Sequence, residues 1–207
     1  MGMYPAGIVI KPSITVDTSA YADGDLLFDK VELKNAVPSR GGTSIIENIT
    51  MYNEDGEAGE DFVVLFFDNE TSIGANANQA TTEISHAEFK ASGFIGACEL
   101  NGGESGHDVG TGFIVQSGNN DKGPTTPVLV QAASGQTSIW VAVIVSGGTP
   151  DYASASDGCE MTFNIKYFFS LFHRLLCYGT KFFYIFFMYL KLIFIVDRCN
   201  QFNIKIL

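Results

Sequence analysis

Oxygen-rich turns are where this sequence could do chemistry. Asp23-Gly24-Asp25 is one, and Glu54-Asp55-Gly56-Glu57, followed by Glu60-Asp61, is the other. A hard cation such as Ca²⁺ needs several oxygens converging on one point, and acid-rich loops can supply them. Asp23, Asp25, Asp55 and Glu57 are therefore the candidate Ca²⁺ ligands. Neither stretch has the EF-hand spacing, in which acids at alternating positions precede a Gly and a distal Glu. Acids in turns are also commonly just solvated. The expectation is a chain with no required cofactor, Ca²⁺ being the cation its acids would suit.

Other catalytic patterns are weaker. His86 and His107 are the only histidines before residue 168, and neither stands in an HExxH or His-x-His arrangement. Ser117-Gly118 and Ser146-Gly147 follow apolar runs but read as hairpin turns. No Gly-x-Ser-x-Gly elbow leads from a strand into a helix. Gly102-Gly103-Glu104-Ser105-Gly106 lacks the Lys and the following helix of a phosphate loop. Asn48-Ile49-Thr50 and Asn69-Glu70-Thr71 match the glycosylation sequon, but Met1-Gly2-Met3-Tyr4-Pro5 lacks the basic start of a secretion signal. The expected protein is not an enzyme.

The elements that must position these residues are short and apolar, separated by turn clusters such as Arg40-Gly41-Gly42, Asn101-Gly102-Gly103 and Gly147-Gly148. Strands are expected at residues 14–16, 26–33, 45–52, 62–67, 94–100, 113–116, 128–132, 139–145 and 161–165. In the second, Leu27, Val31 and Leu33 should point inward; in the third, Ile45, Ile49 and Met51. Phe62-Val63-Val64-Leu65-Phe66-Phe67 is apolar without alternation, as in a central strand buried on both faces. Residues 68–92 read as a long polar connection with one helical turn near Ser85 to Lys90. About nine strands make an all-β, antiparallel two-sheet β-sandwich, jelly-roll-like, at residues 14–167 behind an N-terminal arm at 1–13.

Residues 1–167 carry 7 Lys and Arg against 22 Asp and Glu, a net of −15, whereas residues 168–207 carry 5 against 1, a net of +4. A body this acidic repels nucleic acid and anionic membrane. Cys98 and Cys159, its two cysteines, are far apart and read as free, partly buried thiols. The last 40 residues contain no Ala, Pro or Glu, and Phe, Ile, Leu, Lys, Tyr and Asn make up 28 of them, the residues that A/T-rich codons mostly encode. Three readings of this hydrophobic tail stand. It is a membrane anchor centred on residues 182–196, where an apolar run of 15 is interrupted by Lys191 although a span needs about 20. It is a buried or amphipathic helix. Or it is extraneous, appended by a frameshift or a lost stop codon. A membrane is a partner only if the tail is genuine.

The order of turns and strands also carries a resemblance. Asp17-Thr18, Tyr21, Gly24-Asp25, then Leu33 with Asn35-Ala36, then Gly41-Gly42 and the strand running from Ile45 to Asp55 set the pattern. Later come Phe94-Ile95-Gly96, the run from Trp140 to Val145, and Gly148-Thr149-Pro150-Asp151-Tyr152. This pattern resembles a family of small virion-associated structural proteins of tailed bacteriophages, and the resemblance covers about residues 14–167. Where that family often has Asn-Pro after the buried strand, this chain has Asp68-Asn69-Glu70.

The resemblance implies a structural component of a phage particle, a capsid-associated or head-decoration protein in preference to a tail protein. It implies other virion proteins as partners, a homo-oligomer or capsid lattice, and residence in a virion assembled in the host cytoplasm. It carries no catalytic residues. Two alternatives remain open at this point. One is a ligand- or glycan-binding module using Tyr4, Tyr21, Tyr52 and Tyr152 beside the turns; the other is a membrane-anchored surface protein.

Overall fold

A computed structural model describes residues 7–54, 60–110, 112–118, 125–155 and 158–168. Ten strands and two short helices occur among them: β1 Gly7–Ile10, β2 Leu26–Leu33, β3 Thr43–Asn53, β4 Asp61–Phe67, α1 His86–Ala91, β5 Phe94–Asn101, α2 Gly102–Ser105, β6 Gly106–Val109, β7 Gly112–Gln116, β8 Val128–Gln131, β9 Ile139–Gly147 and β10 Cys159–Phe168. The expected tail, beyond Phe168, lies outside the described residues. No helix among the described residues is long and apolar enough to cross a membrane.

The strands form two antiparallel sheets, as the alternating pattern requires. One has six strands in the order β1-β10-β3-β7-β6, with β8 also paired to β3. The other has four, β2-β9-β4-β5. The two partners on one edge of β3 divide it between them: β7 pairs with its Thr50 to Asn53 end and β8 with its Thr43 to Ile46 end. Between the sheets lies one apolar core that includes Leu27, Ile49, Phe62, Phe66, Val143 and Phe163. Each is buried because alternate residues of a strand face the same side. The described residues form an all-β sandwich.

The structure corrects the expected elements in three places. Ile14 and Val16 are buried, yet their segment is no strand; the Val16 N–H reaches the Ala155 carbonyl (3.0 Å) without a continuing ladder. The first strand is instead Gly7–Ile10, in the region expected as an arm, where Ile8 and Ile10 pack on the core. In β3 the inward residues change phase: Ile49 and Met51 face the core, but Ile46 does so in place of Ile45. The cause is a bulge. The β10 register runs Asn164↔Asn48 and then Ile165↔Ile46, so Glu47 is the extra residue, and one extra residue turns every later side chain over. Finally, β6 is a strand that its Gly, His and Asp hid.

Phe62–Phe67 is buried on both faces for a specific reason. Strand β4 is central in its sheet, and its outer face is roofed by the connection from β4 to β5. Ile73 and Ala75 of that connection are buried against Leu26, Leu65, Phe67 and Ala142, with Phe89 and Ile84 packed at the margin. Ser85 starts α1 with a capping box: its hydroxyl accepts the Glu88 N–H, and the Glu88 carboxylate accepts the Ser85 N–H.

Candidate functional site

Of the four acids expected to gather around Ca²⁺, Asp55 and Glu57 lie outside the described residues, and Asp23 and Asp25 share one turn. That turn is built into the sandwich. The Gly24 N–H donates to the Val145 carbonyl (2.8 Å), and the Val145 N–H donates to the Asp25 carbonyl (2.9 Å). Gly24 has φ 91°, which a side chain would strain. The Asp25 carboxylate accepts the Ala22 N–H at 2.7 Å, so it closes its own turn, whereas Asp23 is exposed. Among the described residues no three His, Cys, Asp or Glu side chains converge as metal ligands would. Glu60 and Asp61 serve the fold: Asn53 Nδ2 donates to the buried Glu60 carboxylate, and Asp61 accepts the Gly102 N–H at the start of α2 (2.9 Å).

The nucleophile and base candidates are likewise kept apart. His86 and His107 are both exposed, on α1 and β6. Ser117 is buried and occupied, accepting the Ile49 N–H at 2.7 Å and the Thr126 hydroxyl at 3.1 Å. Cys98 and Cys159 are free and buried. Burial pushes the Cys98 thiol up to about 11 and raises that of Cys159 further, so both stay protonated and unreactive at neutral pH. Tyr21 and Tyr152, open candidates for a ligand platform, pack edge to face on each other at 5.8 Å. The Tyr21 hydroxyl donates to the Leu27 carbonyl (2.8 Å) and accepts the Asp17 N–H (2.5 Å). They join a turn to the sheet end. Tyr4 lies outside the described residues, and Tyr52 stands half-buried on the outer face of β3.

What the fold does present is a broad outer face on the six-stranded sheet. Tyr52, Thr50 and Asn48 of β3 pair with Glu160, Thr162 and Asn164 of β10, and beyond the bulge Ile45 pairs with Lys166. Asn48 is the hub: its carboxamide oxygen accepts from Thr50 (3.2 Å) and Asn164 (3.5 Å), and its amide donates to the Ser117 carbonyl (3.2 Å). At the bulge Lys166 and Glu47 pair at 3.2 Å, while Val9 on β1 and Leu129 on β8 are 61% and 63% exposed. Sequence reasoning passed over this face, although its signal was present: amides and threonines alternate with Ile49, Met51, Met161 and Phe163. It also passed over Lys30, whose ammonium donates to three backbone carbonyls.

No family model and no curated protein matches the chain. Four solved chains do. One comes from the semi-empty virus-like particle of the nodavirus of the giant freshwater prawn Macrobrachium rosenbergii, at 7% identity over 77% of this chain and 92% of that chain, with a TM-score of 0.30. A second is a mutant VP2 protein of infectious bursal disease virus, at 10% identity over 78% of this chain and 39% of that one, with a TM-score of 0.18. The infectious bursal disease virus Gt strain structure gives 11%, 80%, 45% and 0.18 in the same terms. Overlaps this loose say nothing about what the chain does.

Proposed function

We propose that this chain is a non-enzymatic structural component of a virus particle, a tailed bacteriophage's, associated with or decorating its capsid. The observation that carries the reading is the strand order. With β6 and β8 set aside, the remaining eight strands fall in chain order as first, eighth, third and sixth in one sheet and second, seventh, fourth and fifth in the other. That interleaving follows the strand order of a jelly roll, the double Greek key that builds viral shells, lectins and cupins, and so supports the reading. A cupin encloses its metal ligands, but here the space between the sheets is filled by apolar side chains and both described histidines are outside. A lectin uses exposed loop aromatics, yet Tyr21 and Tyr152 are buried on each other. The sequence resemblance across residues 14–167 supports the phage assignment.

In this reading the partners are other virion proteins and further copies of the chain, in a virion assembled in the host cytoplasm. The acidic body keeps free copies soluble until they meet the shell. Mass spectrometry of gradient-purified particles, from cells carrying the encoding locus, tests the proposal. Peptides of this chain should co-sediment with the major shell protein in fixed proportion through a second gradient. Recovery only in the soluble or membrane fractions would overturn it.

A further inference from the structure

The connection over the outer face of the four-stranded sheet is fastened very differently at its two ends. Near its middle, backbone bonds tie it to the turn before β2. The Asn78 N–H donates to the Leu26 carbonyl (2.8 Å), the Leu26 N–H to the Gln79 carbonyl (2.9 Å), and the Thr81 N–H and hydroxyl both to the Gly24 carbonyl (2.9 and 2.7 Å). Beyond this point comes α1, which has no buried residue of its own. The far end returns to β4 at Gly93. There the Asp68 N–H donates to the Gly93 carbonyl (2.9 Å), and a Cβ on Gly93 would overlap the Asp68 and Asn69 side chains.

Lys30 closes this far end. Its Nζ donates to the carbonyls of Thr71 (2.6 Å), Ser92 (2.8 Å) and Asn69 (3.3 Å), and lies 3.9 Å from the centre of the Phe67 ring. An ammonium has three donors, and here each has a carbonyl. The three carbonyls come from both strands of the connection, so one cation joins its outgoing and returning limbs to β2. Burial pulls the ammonium down to about 8, against Asp29 on its own strand and Asp68 at the end of β4, which favour the cation.

We propose that Lys30 is a cationic latch, holding the α1 half of the connection shut over Phe67, so that loss of its charge frees residues 82–93 while the sandwich stays folded. A neutral side chain of the same length escapes the cost of desolvating a cation. It also strands three carbonyls that had shared one donor group; that of Thr71 is exposed, but those of Asn69 and Ser92 are part-buried, and lifting this end gives them water. The fixed backbone bonds at residues 78–81 then act as the hinge. Opening bares Phe67 and the covered side of the already part-exposed Phe94, which Phe89 packs against at ring distances of 6.4 and 5.1 Å. Acylation of the amine would act in the same direction.

Hydrogen–deuterium exchange on the full chain at pH 7 tests this, comparing wild type, Lys30→Met and Lys30→Ala. Amides of residues 82–93 should exchange at least about tenfold faster in both variants, with β4 and β9 unchanged, as for a local opening. Propylammonium, which replaces the atoms removed in Lys30→Ala, should restore protection saturably, and 1-propanol should not. Unchanged exchange in 82–93 would overturn the proposal. So would an equal loss across β4 and β9, or rescue by propanol as good as by propylammonium.

Discussion

The two sheets turn opposite kinds of outer face away from a shared core. On the four-stranded sheet the outer face is apolar, with Leu26, Leu65, Phe67 and Ala142, and a 26-residue connection between β4 and β5 covers it. On the six-stranded sheet it carries Asn48, Thr50, Thr162 and Asn164, with Thr50 and Asn164 both donating to Asn48, and it is roofed by no described segment. The first face is apolar because it is covered, and its cover is the longest connection among the described residues. The second ties Asn48, Thr50 and Asn164 together by hydrogen bonds across its strands and, among the described residues, carries no cover.

This contrast can be broken by mutation, and the largest effect should fall on the covered face. Phe67→Ala should cost about 3–5 kcal/mol, because the ring is fully buried and packs on Phe89 and Phe94. Thr162→Ala, on the open face, should change stability by less than about 0.5 kcal/mol. Urea unfolding of the full chain gives both numbers, and similar losses would mean that the two faces do not differ. A smaller effect comes from the cover's own helix. Removing the cap with Ser85→Ala should cost about 1 kcal/mol, read as faster amide exchange in α1 with the strands unaffected.

The same cap sets an acid limit. The Ser85 hydroxyl, and then its N–H, hold the Glu88 carboxyl below the usual glutamate range. A depressed folded value means that the bonus is complete above the unfolded value of about 4.3 and is lost as pH falls through the lower folded one. Exchange in α1 should therefore quicken below about pH 4 in wild type and show no such step in Glu88→Gln. A step of equal size in both would assign the acid response elsewhere.

Most of this architecture was legible in residue patterns. The expected bounds 26–33 coincide with β2 because its apolar residues stand between an Asp-Gly-Asp turn and Lys34-Asn35. The unbroken run of Phe62 to Phe67 announced a strand buried on both faces, and the one helical turn expected near Ser85 to Lys90 is α1. The misses share a cause: tertiary partners outweighed local pattern. Ile14 and Val16 are as apolar as any strand, but what buries them is the core and not a neighbouring ladder. No local signal marks Glu47 as a bulge, since its position is fixed by register against β10, more than a hundred residues away. Lys30 was illegible for a similar reason. The carbonyls that receive it belong to residues 69, 71 and 92, and backbone oxygens have no signature in a sequence.

The weakest expected effect is also the sharpest probe of the open face. Lys166 and Glu47 pair at 3.2 Å with their side chains 58% and 51% exposed. Water screens such a pair, and holding two long side chains together costs entropy, so a double-mutant cycle should yield only about 0.2–1 kcal/mol. In 1 M salt, where the screening length shrinks to about 3 Å, the coupling should fade further. That outcome fits a face that is wet in the free chain. Lys166 sits beside Ile45, which pairs in turn with the exposed Leu129, so anything docked on this patch would desolvate the pair. A coupling clearly above 1 kcal/mol that survives 1 M salt would therefore mean that the face is already covered in solution, and the contrast between the two sheets would fail.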